Sequence, residues 1–177
     1  MCGIVCYVGQ KQARSILLEG LKQLEYRGYD SAGIAVQQGN DIHCYRAAGK
    51  IVELERKLNG VETKGTVGIA HTRWATHGEP SEVNAHPHRD QDENVFVIHN
   101  GIIENFLSLK NSLEKKGIKF RSETDTEVLA HLIGLNFKGS LEEAVRKTIS
   151  QVEGHLGWQS YIDMQLVKLW WPEEEAR

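Results

Sequence analysis

Apolar and polar positions along the chain follow two periods, one typical of β-strands and one typical of amphipathic helices. Short apolar runs predict strands at residues 4–8, 33–36, 42–47, 66–70 and 95–98. Apolar residues at helical spacing predict a helix at residues 12–24, and amphipathic helices are expected at residues 104–116, 125–135 and 141–151. Residues 50–58 are expected to form a short charged helix. Because the strands are separated both by a hairpin and by helices, we expect an α+β fold with helices layered on sheets.

Residue types within these elements predict further details. The first apolar run ends at Gly9 and predicts a buried strand. The hydroxyls and carboxylates at residues 122–125 are expected to cap the helix that begins there. Cys6 and Cys44 lie inside strand patterns, where we expect small buried hydrophobic residues.

Composition and charge narrow the class of protein. Hydrophobic residues make up 40% and charged residues 25% of the 177 residues, which is typical of a globular domain. The formal net charge of −3 argues against nucleic-acid binding through a basic face. Since no apolar run approaches the roughly 20 residues of a membrane helix, we expect no membrane partner. Three cysteines are too few for a disulfide scaffold and favour a cytoplasmic location.

Cys2 is the first candidate for chemistry. Methionine is normally removed when the next side chain is small, which would make Cys2 the first residue. Its α-amine, with an ordinary pKa of about 7.7–8.0, would then lie beside a thiol of pKa about 8.5. One residue would thus supply a nucleophile and a base for covalent catalysis. The alternative for this residue alone is a cysteine without a function.

Two predicted strands run into polar clusters that suit acyl transfer. Asn100 and Gly101 follow the last strand, where a side-chain amide and a backbone N–H could stabilise an oxyanion. Arg73 could hold a carboxylate through its planar guanidinium, and Asp125 could pair with an ammonium group. A surface ion pair for Arg73 and a helix cap for Asp125 are the alternatives.

Several histidines raise the question of a metal site. They are His71, His77, His86, His88 and His99. Only His86 and His88 lie close together in the sequence, around Pro87, and no Cys-x-x-Cys pattern is present. We therefore expect neither a metal nor another cofactor.

Five motifs together resemble the class II glutamine amidotransferase domain, a family of N-terminal nucleophile hydrolases. They occupy residues 2–5, 24–33, 70–88, 99–105 and 122–127. The resemblance covers residues 2–154 and implies an α/β/β/α sandwich, here truncated. Two of these motifs are similar to those of family members that pass ammonia to a C-terminal sugar-isomerising domain. They read Tyr-Arg-Gly-Tyr-Asp-Ser-Ala-Gly and Thr-Arg-Trp-Ala-Thr-His-Gly. That domain makes glucosamine 6-phosphate from fructose 6-phosphate, and these 177 residues leave no room for it.

The resemblance implies a role for each matching residue. Cys2 corresponds to the nucleophile that attacks the side-chain amide of glutamine, with its own α-amine as the base. Asn100 and Gly101 match the oxyanion hole. Arg73 and Asp125 match the groups that bind the α-carboxylate and α-ammonium of glutamine. The other positions implied to line the substrate site are Trp74, Thr76 and His77.

The resemblance stops after Gly154. Two adjacent tryptophans beside a charged terminus do not match the apolar sheet with which the family continues. When residues 154–163 are reverse-translated, compatible codons read in a frame shifted by one base can encode a strand sequence that resembles the family. We therefore infer a one-base frameshift near Gly154, with a divergent tail as the alternative. Residues 155–177 are expected not to complete the sheet, and apolar spacing predicts a helix over residues 161–171.

Three classes of function follow from this sequence. The full set of site residues favours a domain that hydrolyses glutamine. A catalytically inactive fragment is the rival, because missing strands would expose sheet edges. A non-catalytic module that binds an amino acid is the third class, and it would not require Cys2.

Overall fold

The chain folds into two antiparallel sheets with helices on their outer faces. The structure is a computed structural model that describes residues 2–75, 78–154 and 165–168. Its strands are β1 (Gly3–Val8), β2 (Ser31–Gln38), β3 (Asp41–Ala48), β4 (Val67–Arg73), β5 (His88–Arg89), β6 (Val95–Ile98) and β7 (Gln165–Lys168). Its helices are α1 (Ala13–Gln23), α2 (Ile51–Leu58), α3 (Phe106–Lys115), α4 (Thr126–Asn136) and α5 (Leu141–Ile149), and a 3₁₀ turn covers Glu25–Arg27. The five strands predicted over residues 4–98 and the five helices predicted over residues 12–151 are all present, whereas β5 and β7 were not predicted.

The layer order confirms the predicted sandwich. The first sheet has the strand order β1-β4-β2-β3, and the second has the order β5-β6-β7. Helices α1 and α2 pack against the first sheet, and α4 packs against β5 and β6 of the second. Strand β4 also contacts β6 and β7 across the space between the sheets. The fold is therefore α/β/β/α.

Apolar clusters fill the space between these layers. Leu17 and Leu21 of α1 are fully buried against the first sheet, because their spacing places both on one face of the helix. Ile69 of β4 meets Phe96 and Ile98 of β6 between the two sheets. The sheets are thus held together by apolar contacts between their central strands.

Strand β1 is an edge strand, and the prediction of a buried strand was wrong. Among the described strands it pairs only with β4, and Val8 at its end is 80% exposed. Cys6 on this strand is exposed, so the prediction of a buried Cys6 was also wrong. Cys44 on β3 is partly buried and packs against the apolar residues between the sheets.

Helix α4 is buried on almost every side, whereas the sequence predicted an amphipathic helix. Residues 126–133 are all buried, because β5 and β6 cover one side of the helix and α3 and α5 contact others. The predicted cap is absent as well. Asp125 occupies the N-cap position, but its side chain makes no capping hydrogen bond.

The tail contributes a strand to the second sheet. Gln165–Lys168 forms β7 and pairs antiparallel with β6, so the predicted helix over residues 161–171 is wrong for these four residues. The expectation that the tail adds nothing to the sheet is wrong for them too. Without β7, one side of β6 would present unpaired N–H and C=O groups, which favours pairing with an available extended segment. The rest of that predicted helix lies outside the described residues.

One end of the space between the sheets is polar. His71, His86, His88 and His99 are each at most 5% exposed. The rings of His71 and His86 stack with their centroids 4.2 Å apart, and His86 meets His88 edge-on at 4.5 Å. Burial lowers the pKa of His71 to about 4, that of His88 to about 3 and that of His86 well below its usual range. These three rings are therefore neutral at pH 7.

The neutral buried histidines predict that mild acid destabilises the protein. In the unfolded chain each imidazole binds a proton as the pH falls below about 6.5, whereas in the native state it does not. The free energy of unfolding should therefore fall by about 1.4 kcal/mol per pH unit for each histidine, until the native pKa is reached. Urea unfolding at about pH 7.5 and about pH 5.0 measures the difference. Equal free energies of unfolding at the two pH values would contradict the neutral state of these rings.

Candidate active site

Cys2 lies where the start of β1 meets the end of β4. The strand register pairs Gly3 with Thr72, and the Gly3 N–H donates to Oγ1 of Thr72 at 3.0 Å. The backbone N–H of Trp74 donates to Sγ of Cys2 at 3.1 Å. The sulfur is therefore held against the loop that follows β4.

Arg73, the last residue of β4, is only 4% exposed. It is therefore not a surface ion pair, which was one of the alternatives. Its guanidinium donates to the carbonyls of Gly78 and Glu79 at 3.1 and 3.3 Å and lies 3.8 Å from Oδ1 of Asp30. The loop after β4 thus folds back over the cation, next to Cys2.

Asp30 is a residue of this site that the sequence analysis missed. Its backbone N–H donates to the carbonyl of Arg73 at 2.8 Å. Its carboxylate accepts hydrogen bonds from the backbone N–H of Ala75 and from the hydroxyl of Ser31. Asp30 therefore holds both ends of the turn at residues 73–75. Its place in the Tyr-Arg-Gly-Tyr-Asp-Ser motif, directly before β2, was the available signal.

Trp74 extends from the end of β4 and is 54% exposed. Its ring lies against Gly28, where an added Cβ would come within 2.7 Å of the indole. Gly28 also has a φ of +72°, so the turn requires glycine for both reasons. Thr76 and His77, the other loop residues predicted to line the substrate site, lie outside the described residues.

Asn100 and Gly101 follow β6 in the second sheet, and a hydrogen bond ties Asn100 to the first. Nε2 of His71 on β4 lies 2.9 Å from Oδ1 of Asn100. Gly101 has a φ of +158°, and an added Cβ would meet the ring of His99 at 2.6 Å. A side chain at this position would force the buried ring of His99 to shift. The two residues predicted to form an oxyanion hole are thus linked to the strand that carries Arg73.

Asp125 is 5% exposed and faces the loop after Gly101. Its Oδ2 accepts the backbone N–H of Ile103 at 2.9 Å, and this contact takes the place of a helix-capping bond. The helix cap considered as the alternative for Asp125 is therefore not formed. Its carboxylate instead joins the start of α4 to the segment that carries Asn100 and Gly101.

Buried hydroxyl groups hold the segment before Asp125. Oγ1 of Thr124 lies 2.9 Å from Nε2 of His88 on β5, and the hydroxyl of Ser122 donates to Glu127 at 2.5 Å. Burial alone would raise the pKa of the Glu127 carboxyl. Hydrogen bonds from His131 and Ser122 outweigh this effect and lower the pKa of Glu127 to about 2. Glu127 is therefore an anion that anchors this segment to α4.

Asn84 joins the loop around Arg73 to the segment before Asp125. Its side-chain amide donates to the carbonyl of Glu79 at 3.0 Å and accepts the N–H of Glu123 at 2.9 Å. The same Glu79 carbonyl is a partner of Arg73. One buried amide thus connects the two loops that carry the candidate charged groups, and the sequence analysis gave it no role although it lies in the motif at residues 70–88.

The predicted site residues within the described chain are connected to one another by short chains of contacts. A cation and a carboxylate, on Arg73 and Asp125, suit a small molecule that carries both a carboxylate and an ammonium group. Cys2 and the Asn100–Gly101 pair supply a nucleophile and hydrogen-bond donors for attack on a carbonyl group. In the described part of the chain, no cluster of three or more His, Cys, Asp or Glu side chains is arranged to hold a metal ion. Over the same residues, no helix is long and apolar enough to cross a membrane.

Solved structures resemble this fold closely. A structure of glutamine phosphoribosylpyrophosphate amidotransferase from B. subtilis, complexed with ADP and GMP, matches with a TM-score of 0.73 and 31% sequence identity. The match covers 87% of this chain and 33% of that one. A structure described as the allosteric regulatory enzyme of purine biosynthesis matches with a TM-score of 0.75 and 31% identity, covering 87% and 34%. These two structures bear out the predicted fold class.

Curated relatives are more similar in sequence. Proteins named glutamine--fructose-6-phosphate aminotransferase [isomerizing] match from Clostridium acetobutylicum (54% identity), Clostridium tetani (56%) and Aquifex aeolicus (55%). Each match extends over 154 residues and 87% of this chain, but over only 25–26% of the relative. The chain thus spans about a quarter of the length of these proteins.

A family model described as "Glutamine amidotransferase domain" matches residues 57–145. This segment includes β4, the loop around Arg73, Asn100, Gly101 and Asp125. The family predicted from the motifs is therefore confirmed, and the chain belongs to the glutamine amidotransferase domain family.

Proposed function

We propose that this chain hydrolyses the side-chain amide of glutamine, with Cys2 as the nucleophile. The observation that supports it most directly is the hydrogen bond from the Trp74 N–H to Sγ of Cys2 at 3.1 Å. This bond holds the sulfur against the residue that directly follows Arg73, whose cation the proposal assigns to the substrate carboxylate. Membership of the glutamine amidotransferase domain family supports glutamine as the substrate.

The proposed reaction proceeds through a thioester. After removal of Met1, the α-amine of Cys2 accepts the thiol proton and the sulfur attacks the side-chain amide carbon. The oxyanion that forms accepts hydrogen bonds from the side-chain amide of Asn100 and the N–H of Gly101. The protonated amine then donates its proton to the amide nitrogen, the C–N bond breaks and ammonia leaves. Water next attacks the γ-glutamyl thioester, which releases glutamate and restores the thiol.

Substrate recognition is assigned to the two buried charges. Arg73 binds the α-carboxylate of glutamine through its planar guanidinium, and Asp125 binds the α-ammonium group. We assign Trp74, Thr76 and His77 to the lining of the same site, as their motif implies. The hydrogen bonds of Asn84 to both loops support this pairing, because they limit how far the two charges can move apart.

We further propose that the ammonia is consumed by another domain of a longer protein. The curated relatives are named for the amination of fructose 6-phosphate, so we assign the ammonia to that reaction in a sugar-isomerising domain, yielding glucosamine 6-phosphate. We propose a cytoplasmic location, which is supported by the three free cysteines. The proposed partners are glutamine and the sugar-isomerising domain. We propose no nucleic-acid partner and no membrane partner.

The domain boundary is also a proposal. We assign residues 2–154 to the glutaminase domain and residues 155–177 to a one-base frameshift near Gly154. The 154-residue length of the matches to curated relatives supports this boundary. Sequencing the locus around the Gly154 codon tests it, and we expect one missing or extra base relative to a frame that continues the family sequence. An unambiguous read that preserves the present frame would contradict the frameshift.

Replacing Cys2 is expected to abolish activity. Because the substitution removes the thiol that attacks the amide carbon and leaves the α-amine in place, Cys2→Ala should release no glutamate from glutamine. Cys6→Ala is the matched control on the same strand, where the thiol is exposed and distant from the proposed chemistry, and it should keep the wild-type rate. Glutamate release is measured for all three proteins. Activity in Cys2→Ala would contradict the nucleophile, and an inactive wild-type chain would favour the inactive fragment.

Substitutions at the two charges should weaken substrate binding. Arg73→Lys keeps the charge but loses the planar pair of donors, and Asp125→Asn removes the anion. Each should weaken binding by about 1–3 kcal/mol, seen as a higher KM for glutamine. Arg56→Lys and Asp41→Asn are controls at exposed positions and should leave KM unchanged. Wild-type KM values in Arg73→Lys and Asp125→Asn would contradict the assignment.

A further inference from the structure

We propose that His71 is a positioning residue that orients the side-chain amide of Asn100, so that its Nδ2 amino group faces the substrate. The inference rests on the proposed function, in which that amino group stabilises the oxyanion. A side-chain amide has a donor end and an acceptor end of nearly equal size. Its neighbours therefore determine which end faces the substrate, and only the donor end stabilises negative charge.

The contact between the two residues selects one orientation. Nε2 of His71 lies 2.9 Å from Oδ1 of Asn100, which is a normal hydrogen-bond length when Nε2 carries the proton. With Oδ1 held by His71, the Nδ2 amino group points away from the ring. Nδ2 makes no hydrogen bond to any residue that the structure describes, and Oδ1 is the atom that meets the His71 ring.

The other ring nitrogen supports the same tautomer. Nδ1 of His71 is buried and has no hydrogen-bond partner in the described part of the chain. A proton on Nδ1 would leave a buried N–H without an acceptor and Nε2 without a proton to donate to Oδ1, whereas an unprotonated Nδ1 leaves one lone pair unmatched and keeps that hydrogen bond. The proton therefore belongs on Nε2. A ring protonated only on Nδ1 would present a lone pair to Asn100, attract its amino group and turn Oδ1 towards the substrate.

Packing prevents the ring of His71 from moving. The residue is 1% exposed on β4, which is paired with β1 on one side and β2 on the other. The ring stacks on His86 with an interplanar angle of 16°. Burial also lowers the pKa of His71 to about 4, so the ring stays neutral and has only one N–H to place.

His86 holds the same loop from a second direction. Its Nδ1 accepts the backbone N–H of His99, the residue before Asn100, at 3.4 Å. The chain leading into Asn100 and the side chain of Asn100 are thus held by two stacked rings. Tertiary contacts rather than the local loop conformation therefore set the direction of the amide.

Kinetics of substituted full-length chains test the inference. His71→Leu removes the donor, while the amide nitrogen of His71→Gln can reach a position near that of Nε2. We expect His71→Leu to lower kcat about 10-fold to 100-fold with little change in KM, and His71→Gln to recover most of the loss. The double variant with Asn100→Ala should be no slower than Asn100→Ala alone, because His71 acts only through Asn100.

Two results would overturn the inference. One is a double variant in which the losses of kcat from the two substitutions add, and the other is a His71→Gln protein whose kcat is as low as that of His71→Leu. A purely structural role would lower folding yield and stability in both His71 variants without this pattern in kcat. His43→Leu on β3 serves as a control histidine outside the site and should keep the wild-type kcat.

Nitrogen-15 NMR of the histidine rings tests the orientation independently of activity. In the wild-type chain at neutral pH we expect the His71 ring to carry its proton on Nε2, with the signal assigned by its loss in His71→Gln. A proton on Nδ1, or on both nitrogens, would overturn the inference. If the wild-type chain releases no glutamate, the proposed function fails, whereas the NMR measurement still decides how His71 orients Asn100.

Discussion

The hydrogen bond between His71 and Asn100 joins the two sheets at the end where the candidate site lies. His71 belongs to β4, which also carries Arg73 and holds Cys2 through the N–H of the following residue. Asn100 follows β6 in the opposite sheet. The relative position of nucleophile, cation and amide therefore depends on how the two sheets pack. Ile69, Phe96 and Ile98 supply the apolar part of that packing.

A polar layer inside a sandwich requires partners, because burying an unpaired polar group costs free energy. The four buried histidines contact one another, the hydroxyls of Thr124 and Thr126, and the amide of Asn100. The same burial keeps three of the rings neutral, which makes them donors and acceptors of fixed direction instead of cations. Acid sensitivity is the thermodynamic consequence of placing such rings there.

Periodicity identified the strands and helices because most of them bury one face against a neighbouring layer. It failed where burial depends on distant partners. Helix α4 is covered by a sheet and by other helices, and β7 pairs with an edge that the local pattern cannot reveal. The motifs located Cys2, Arg73 and Asp125, since these residues lie at strand or helix ends.

Residues that act through long-range hydrogen bonds could not be predicted in the same way. Asp30 holds the Ala75 N–H across 45 positions, and Asn84 holds Glu123 across 39. Neither contact can be recognised from local spacing, although both residues lie within the motifs at residues 24–33 and 70–88. The four buried histidines, His71, His86, His88 and His99, were visible in the sequence, but they were considered only as metal ligands. Their use as neutral hydrogen-bonding rings depends on a burial that becomes apparent only in the folded sandwich.

The covalent intermediate on Cys2 is the most direct test of the proposed chemistry. The chain, with Met1 removed, is mixed with glutamine, quenched in acid within the first turnover and digested for mass spectrometry. We predict that one γ-glutamyl group is attached to the peptide that contains Cys2 and disappears as glutamate is released. A glutamyl adduct on Cys6 or Cys44 instead, or glutamate release with no adduct on Cys2 at any time, would contradict catalysis through a Cys2 thioester.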